Sequence, residues 1–275
     1  MTQYGSVGYW KSKTYSYIRT MNTSYQVNRL EMISALLSDV DLKSSVLDFG
    51  CGDGVMAEVV LEAGGKVSCV DIERVMINAT EERLTRKGFG KCTFSTLCGG
   101  VECLSNYSDN SFDLVLALNV LAYMTPEEEE TFYRESYRIV RPRGKLVVTH
   151  SNELFDLFTF NKYTVSFFKK HFSDYACIDN VASLLRYPNL PERTPLPIRE
   201  NPLNYRFKLK SYGFEEVQQE FAILHPLPPL LMNNFDPDNL EVRECPSTTG
   251  IAESEKWKLM FMCSIFGSKS IALKS

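Results

Sequence analysis

The stretch Val46-Leu47-Asp48-Phe49-Gly50-Cys51-Gly52-Asp53-Gly54 decides the expected fold. Together with Ser45, its first four residues form a short, largely apolar run that predicts a strand at Ser45–Phe49, buried on both faces. Glycines then stand at every second position, where they permit positive φ angles and let the backbone approach a ligand closely. A helix-like segment follows at 54–63. Strand, glycine turn and helix in this order predict a ligand-binding edge of a parallel sheet.

The rest of the chain continues the alternation of strand and helix, which predicts an α/β fold with a doubly wound, mostly parallel sheet. Further strands are predicted at Lys66–Asp71, 112–119, 145–150, 216–223 and 257–266. Helices are predicted at 25–37, 74–87 and 125–140, and a last one ends at Tyr212 before Gly213. Residues 151–200 break the pattern with aromatic and proline-rich sequence. We therefore predict an N-terminal helical lid (1–44), a core (45–150), an inserted substrate cap (151–205) and a C-terminal completion of the core (206–275).

Composition excludes several classes of protein. The chain has 275 residues, 44% of them hydrophobic and 23% charged, and a net charge of −4. This acidic balance disfavours a nucleic-acid partner. The first residues do not resemble a signal peptide, and we find no apolar stretch of about 18 residues that would predict a membrane span. The eight cysteines form no CxxC pair. These features predict reduced thiols, no metal site and a cytoplasmic location.

Four motifs in a fixed order carry a family resemblance. Val46–Gly54 is followed by Ser68-Cys69-Val70-Asp71-Ile72, by 109–121 and by the helix-to-strand turn at 138–146. Together they resemble the class I methyltransferases that use S-adenosylmethionine. The resemblance implies a seven-stranded sheet whose last strand is antiparallel. It also implies S-adenosylmethionine as cofactor and S-adenosylhomocysteine as product.

The resemblance also implies how the donor is held. Asp48 would lie near the ammonium group of the methionine part, and the backbone carbonyl of Leu118 would accept a hydrogen bond from it. Asp71 would bind the ribose, and Ile72 would pack on the adenine. The family often has an acid at the position of Gly100, so the Val101 backbone N–H is expected to recognise the adenine, with Glu102 or a water molecule in place of the acid. The remaining predicted donor contacts are Gly50, Cys51, Gly52, Gly100 and Asn119.

A glycine turn after a strand also has other uses. Flavin and nicotinamide enzymes also place one after a strand, but the spacing here is GxGxG rather than GxGxxG. Asp48 also suits a ligand with an ammonium group better than a pyrophosphate. A non-catalytic protein that binds S-adenosylmethionine and acts as a regulator or scaffold stays open, because a fold does not fix a function.

Methyl transfer to a hydroxyl or amine requires that a proton be lost, which favours a nearby base. His150 stands at the end of the predicted strand 145–150, the fifth strand of the expected sheet, at the same edge as the glycine turn, and is the first candidate. His225, before a proline run, is the second.

The substrate is expected to be a small molecule. The segment 151–210 has nine Lys or Arg against six Asp or Glu and many aromatic residues, which favours an anionic or amphipathic acceptor. We predict O-methylation of a hydroxyl or carboxylate on a secondary-metabolite or sugar-type molecule, with N-methylation of a small amine as the alternative. The predicted acceptor contacts are Tyr9, Trp10, Tyr17, Phe158, Tyr163 and Arg186.

Overall fold

Seven strands form one sheet in the order β3-β2-β1-β4-β5-β7-β6 in the computed structural model. The structure describes residues 24–159, 162–171, 198–225, 246–248 and 250–274. The last strand runs antiparallel to both of its neighbours, and the other pairs are parallel. The predicted fold class is thereby confirmed. The strands are β1 (Ser45–Phe49), β2 (Lys66–Asp71), β3 (Phe94–Cys98), β4 (Phe112–Ala117), β5 (Val140–Ser151), β6 (Phe214–Leu224) and β7 (Cys263–Ala272).

Helices cover the two faces of the sheet. Those that the structure describes are α1 (Ser24–Leu37), α2 (Val55–Glu62), α3 (Arg74–Arg86), α4 (Pro126–Ile139), α5 (Phe155–Thr159), α6 (Lys162–His171), α7 (Tyr205–Ser211) and α8 (Leu259–Met262). None of the described helices is long and apolar enough to cross a membrane.

The centre of the sheet is β1, which pairs with β2 on one side and β4 on the other. Its residues Val46 and Leu47 are fully buried, because helices cover both faces. Phe49 pairs in register with Val70 of β2 and Ala117 of β4. The three strands therefore end side by side, and the loops that follow them meet at one edge.

The sequence predicted the start of α4 correctly. Thr125 accepts a hydrogen bond from the Glu128 backbone N–H (3.2 Å), and the Glu128 carboxylate accepts one from the Thr125 N–H (2.7 Å). This reciprocal capping box, with Pro126 in the first turn, fixes where the helix begins. It also holds the Glu128 side chain beside the loop that precedes α4.

Two parts of the sheet differ from the sequence prediction. The predicted strand 257–266 is wrong in its first half: Glu253–Lys258 forms a 3-10 turn and Leu259–Met262 forms α8. Pairing with β6 begins at Cys263 and pairing with β5 at Ile265, where these partner strands are available. The prediction also missed β3, because Phe94–Cys98 contains only two strongly apolar side chains and lies at the sheet edge.

Buried polar contacts attach the beginning and the end of the predicted substrate cap to the core. Arg199 donates to the two carboxylate oxygens of Asp156 (2.8 and 2.5 Å) and also to the Asn152 carbonyl. The Asn152 side-chain amide donates to the carbonyls of Met260 and Cys263 (2.7 and 2.8 Å). Both Asn152 and Asp156 are almost completely buried. The Arg199 charge is therefore already paired within the protein.

Candidate donor and acceptor site

The glycine turn after β1 packs too tightly for any other residue at its first position. Gly50 has φ +75°, and a Cβ there would lie 2.8 Å from the Val120 side chain. Gly52 and Gly54 also have positive φ angles. The turn thus brings its backbone close to the segment that follows β4, and a cavity opens between them.

Asp71, at the end of β2, holds this turn in place. One carboxylate oxygen accepts from the Gly52 N–H (2.9 Å) and the other from the Glu73 N–H (2.9 Å). Burial raises the pKa of Asp71, and these two backbone hydrogen bonds act against that rise. A carboxylate has about four acceptor sites, so Asp71 can still accept from a pair of ligand hydroxyls.

The larger cavity lies above the ends of β1, β2 and β4. It brings together eight of the predicted donor-binding residues: Gly50, Gly52, Asp71, Ile72, Gly100, Val101, Leu118 and Asn119. Residues that the sequence analysis did not single out complete the wall, among them Glu73, Met76, Val120, Tyr123, Met124 and Glu128. This wall combines an apolar surface with a few carboxylates, as small-molecule sites do.

A smaller cavity continues on the other side of the glycine turn and shares Gly50, Gly52 and Leu118 with the first. Asp48 and Cys51, both predicted donor contacts, line it. Its opposite wall is α1, which contributes Gln26, Arg29, Leu30 and Ile33. Arg29 was missed by the sequence analysis, because only the packing of α1 shows that this side chain is buried.

Asp48 and Arg29 give the smaller cavity two buried groups of opposite charge. One Asp48 carboxylate oxygen and the Arg29 Nε have no hydrogen-bond partner within the described part of the chain. Arg29 uses its Nη1 to donate to Gln26 (2.8 Å). Burial, together with the nearby Asp71, raises the pKa of Asp48 to about 7. Buried polar atoms of this kind are rare without a partner, so the pair fits a ligand that bears both an ammonium and a carboxylate.

Gly99, Gly100 and Val101 line the part of the larger cavity where the sequence analysis expects an adenine. Glu102 is exposed and does not line the cavity, but its carboxylate accepts from the Gly100 N–H (2.7 Å). A Cβ at Gly100 would lie 2.8 Å from this carboxylate, and one at Gly99 would lie 3.1 Å from it. The two glycines thus let a carboxylate rest against the backbone where the family often has an acid.

The structure does not bring His150 to either cavity. The imidazole is buried between the rings of Tyr205 and Phe266, with centroid distances of 4.4 and 5.2 Å. Its two nitrogens have no hydrogen-bond partner among the residues the structure describes. Burial lowers the pKa of His150 well below its usual range. A buried imidazole held between two rings is a core residue, and we see no route by which it reaches an acceptor.

The other predicted acceptor contacts are also away from the cavity walls or outside the described residues. The His225 ring packs at a tilt against Phe155 (centroids 4.7 Å apart), and its backbone N–H donates to the Met262 carbonyl. Phe158 packs on Phe155, and Tyr163 lies beneath the Arg199 guanidinium at 5.2 Å. Tyr9, Trp10, Tyr17 and Arg186 lie outside the residues that the structure describes.

Comparison with known proteins agrees with this geometry. Residues 47–148 match the sequence family described as "Methyltransferase domain". A ubiquinone biosynthesis O-methyltransferase from Maricaulis maris is 23% identical over 171 residues, which cover 60% of this chain and 65% of that protein. The match thus spans slightly less than two thirds of the relative's length.

Solved structures show the same fold at low sequence identity. Magnesium protoporphyrin IX methyltransferase from Synechocystis, solved with bound S-adenosylhomocysteine, has a TM-score of 0.57 at 12% identity and covers 96% of each chain. A SAM-dependent methyltransferase from Archaeoglobus fulgidus has a TM-score of 0.54 at 19% identity, and covers 94% of this chain and 99% of that one.

The fold and the cavity at its edge define a class I, Rossmann-like methyltransferase architecture. With the sequence match over residues 47–148, the core of the chain is a methyltransferase domain, and it resembles the S-adenosylmethionine-dependent methyltransferases of that class. The predictions of family and cofactor are thereby confirmed.

Proposed function

We propose that this chain transfers the methyl group of S-adenosylmethionine to an oxygen atom of a small molecule. The observation that carries the proposal is the pair of neighbouring cavities that share Gly50, Gly52 and Leu118 in their walls. One cavity offers Asp71, Ile72 and Val101 to a nucleoside, and the other offers Asp48 and Arg29 to an amino acid. S-adenosylmethionine joins these two parts through a sulfur atom, which would lie where the cavities meet.

The donor supplies a methyl group already activated on a sulfonium. The chain therefore has to bind the donor and the acceptor, orient them and exclude water. Arg29 pairs with the donor carboxylate and Asp48 with the donor ammonium. Each pairing gives a hydrogen-bond partner to a buried polar atom that has none within the described residues. Asp71 accepts from the ribose hydroxyls, while Ile72 and the Val101 N–H contact the adenine. Glu102 lies outside the cavity wall and acts only on the backbone there, since its carboxylate accepts from the Gly100 N–H.

In this proposal Glu128, and not His150, removes the proton from the acceptor. Glu128 lines the larger cavity and is half-buried. Its capping box with Thr125 fixes the direction of the side chain and engages one carboxylate oxygen. The carboxylate can therefore take a proton from a hydroxyl as the methyl group is transferred. A carboxylate acceptor, already ionised, would not need this step.

The charge of the wall of the larger cavity indicates which kind of acceptor it can bind. The described lining of the larger cavity includes Asp71, Glu73 and Glu128 and has no Lys, Arg or His. This acidic wall favours an uncharged hydroxyl over the anionic acceptor that the basic insert suggested. The name of the Maricaulis maris relative, a ubiquinone biosynthesis O-methyltransferase, supports transfer to an oxygen. N-methylation of a small amine is the second candidate, because the same carboxylates suit a cation.

The test uses the full chain with S-adenosylmethionine carrying a labelled methyl group. Panels of small phenols, carboxylates and amines are offered, and the products are identified by mass spectrometry. Detection of labelled methyl ethers supports the proposal, and detection of labelled methylamines alone supports the second candidate. No labelled product in any panel, despite binding of S-adenosylhomocysteine, would favour the non-catalytic reading. Glu128→Gln, which can keep the capping hydrogen bond, serves as the matched variant.

A further inference from the structure

Asn119 leaves β4 with an unusual backbone conformation. Its φ angle is +65°, in the left-handed region that is uncommon for residues other than glycine, although asparagine adopts it more often than most. It lines the larger cavity, and the next residue, Val120, packs directly on Gly50. This conformation therefore sets how the chain passes over the glycine turn, and something must hold it there.

Thr149 on β5 holds Asn119 in this conformation. The Thr149 Oγ1 accepts a hydrogen bond from the Asn119 backbone N–H at 2.7 Å, and the Thr149 residue is only 1% exposed. The peptide bond between Leu118 and Asn119 is trans. In a trans peptide the carbonyl points away from the N–H. With the N–H directed at β5, the Leu118 carbonyl points to the other neighbour of β4, which is β1 and its extension at Gly50.

That direction leads to the part of the site where the donor ammonium is expected. Leu118 and Gly50 both line the two cavities, and Asp48 lies in the smaller one. A carbonyl aimed here and the Asp48 carboxylate can accept from the same ammonium group. If the peptide turned over, the Leu118 carbonyl would face β5 and the N–H would face the ammonium, which would repel it.

We propose that Thr149 is a positioning residue for the methyl donor. It fixes the Leu118–Asn119 peptide so that the Leu118 carbonyl accepts from the donor ammonium, although Thr149 itself does not touch the donor. The inference rests on the proposed function, since it requires that the cavities bind S-adenosylmethionine and its product. It also gives a specific role to the left-handed conformation of Asn119.

The test compares two ligands of the wild-type protein and its variants by calorimetry. S-adenosylhomocysteine carries the ammonium, whereas 5′-methylthioadenosine keeps the nucleoside and the sulfur but lacks the amino acid part. Thr149→Val keeps the shape of the side chain and removes the acceptor. We expect it to weaken S-adenosylhomocysteine binding about tenfold, the scale for one lost hydrogen bond to a charged group. Binding of 5′-methylthioadenosine should change less than about twofold.

Controls separate positioning from general damage. Thr149→Ser retains the hydroxyl and should bind both ligands as the wild type does. Val148→Ala removes a buried side chain of the same strand and should lower stability without changing the ratio of the two affinities. If Thr149→Val does not fold, Thr149→Cys, whose thiol is only a weak acceptor, carries the same expectation. An unchanged ratio in the folded variant overturns the role of Thr149, whereas failure of the wild type to bind S-adenosylhomocysteine overturns the proposed function itself.

Discussion

Arg29 of α1 and Asp48 of β1 line the same small cavity, and each has a buried polar atom without a hydrogen-bond partner in the described structure. Nothing in the sequence motif links the two, because α1 precedes the first strand. Their shared cavity joins the N-terminal helix to the glycine turn. A ligand carboxylate in this cavity would explain why Arg29 is only 5% exposed and yet has no carboxylate bonded to it among the described residues.

The first prediction concerns Arg29. Arg29→Met keeps the length and apolar character of the stem but removes the guanidinium, so the donor carboxylate loses its partner. We expect at least a tenfold loss in affinity for S-adenosylhomocysteine, about 1.4 kcal/mol or more. Calorimetry with the full chain measures it. Arg134→Met, which removes an exposed arginine paired with Glu130 on α4, is the control and should bind normally. Equal affinities for the two variants would exclude the role of Arg29.

The second prediction concerns pH. Asp48 has a pKa of about 7 in the folded protein and an ordinary value of 3.8. The folded state therefore holds this proton more tightly than the unfolded state does, and ionisation of Asp48 lowers the free energy of unfolding as the pH rises from about 4 to 7. The full effect above pH 7 is at most about 4 kcal/mol.

Asp48→Asn removes that penalty. Without ligand, the variant should gain melting temperature relative to the wild type at pH 8, and gain less at pH 5, in thermal unfolding followed by circular dichroism. It should also bind S-adenosylhomocysteine less well, because the ammonium loses a carboxylate. The same difference in melting temperature at both pH values would show that Asp48 is ionised throughout.

The third prediction separates backbone strain from crowding at the glycine turn. Gly50 and Gly64 both have positive φ angles, but a Cβ at Gly64 meets nothing within 4 Å. Alanine at either position should cost about 1–2 kcal/mol of stability through strain. Only Gly50→Ala should also push Val120 and reduce binding of S-adenosylhomocysteine. Chemical denaturation and calorimetry measure the two effects, and normal binding by Gly50→Ala would contradict the packing described here.

The fourth prediction concerns the base. Glu128→Gln should lower kcat about 100-fold or more for a hydroxyl acceptor, as expected for loss of a general base. His150→Phe should leave the pH dependence of kcat unchanged, because the imidazole lies between Tyr205 and Phe266 and outside both cavities. It should keep or raise the melting temperature, since it replaces an imidazole that has no described partner. The reverse pattern of activity would restore His150 as the base.

The sequence predicted the strands that decide the fold with high accuracy. The bounds predicted for Ser45–Phe49 and Lys66–Asp71 are those observed, because both are short apolar runs that end at Gly or Asp. The region 257–266 was harder, since an apolar run of that length suits either a helix or a strand until its partners are known. The observed chain uses both, with α8 followed by β7.

The site was only partly predictable for physical reasons. Motif spacing placed Asp48, Asp71 and Leu118 at one edge of the sheet. For His150, motif spacing predicted the edge of the sheet but not the face of the sheet to which the side chain points. Side chains alternate along a strand, and His150 shares the side of Leu146 and Val148, which packs in the same core cluster as Tyr205 and Phe266. Arg29 carried no signal, because its burial depends on how α1 packs against a distant turn. Thr149 gave none either, since its role depends on the conformation of Asn119.

The central claim is that the two cavities around the glycine turn form one site for the methyl donor. Calorimetric titration of the full chain with S-adenosylhomocysteine and with 5′-methylthioadenosine tests it most directly. We predict one site per chain, with S-adenosylhomocysteine bound at least tenfold more tightly because Arg29 and Asp48 contact only the amino acid part. Absence of binding by S-adenosylhomocysteine, or equal affinity for the two ligands, would contradict the account.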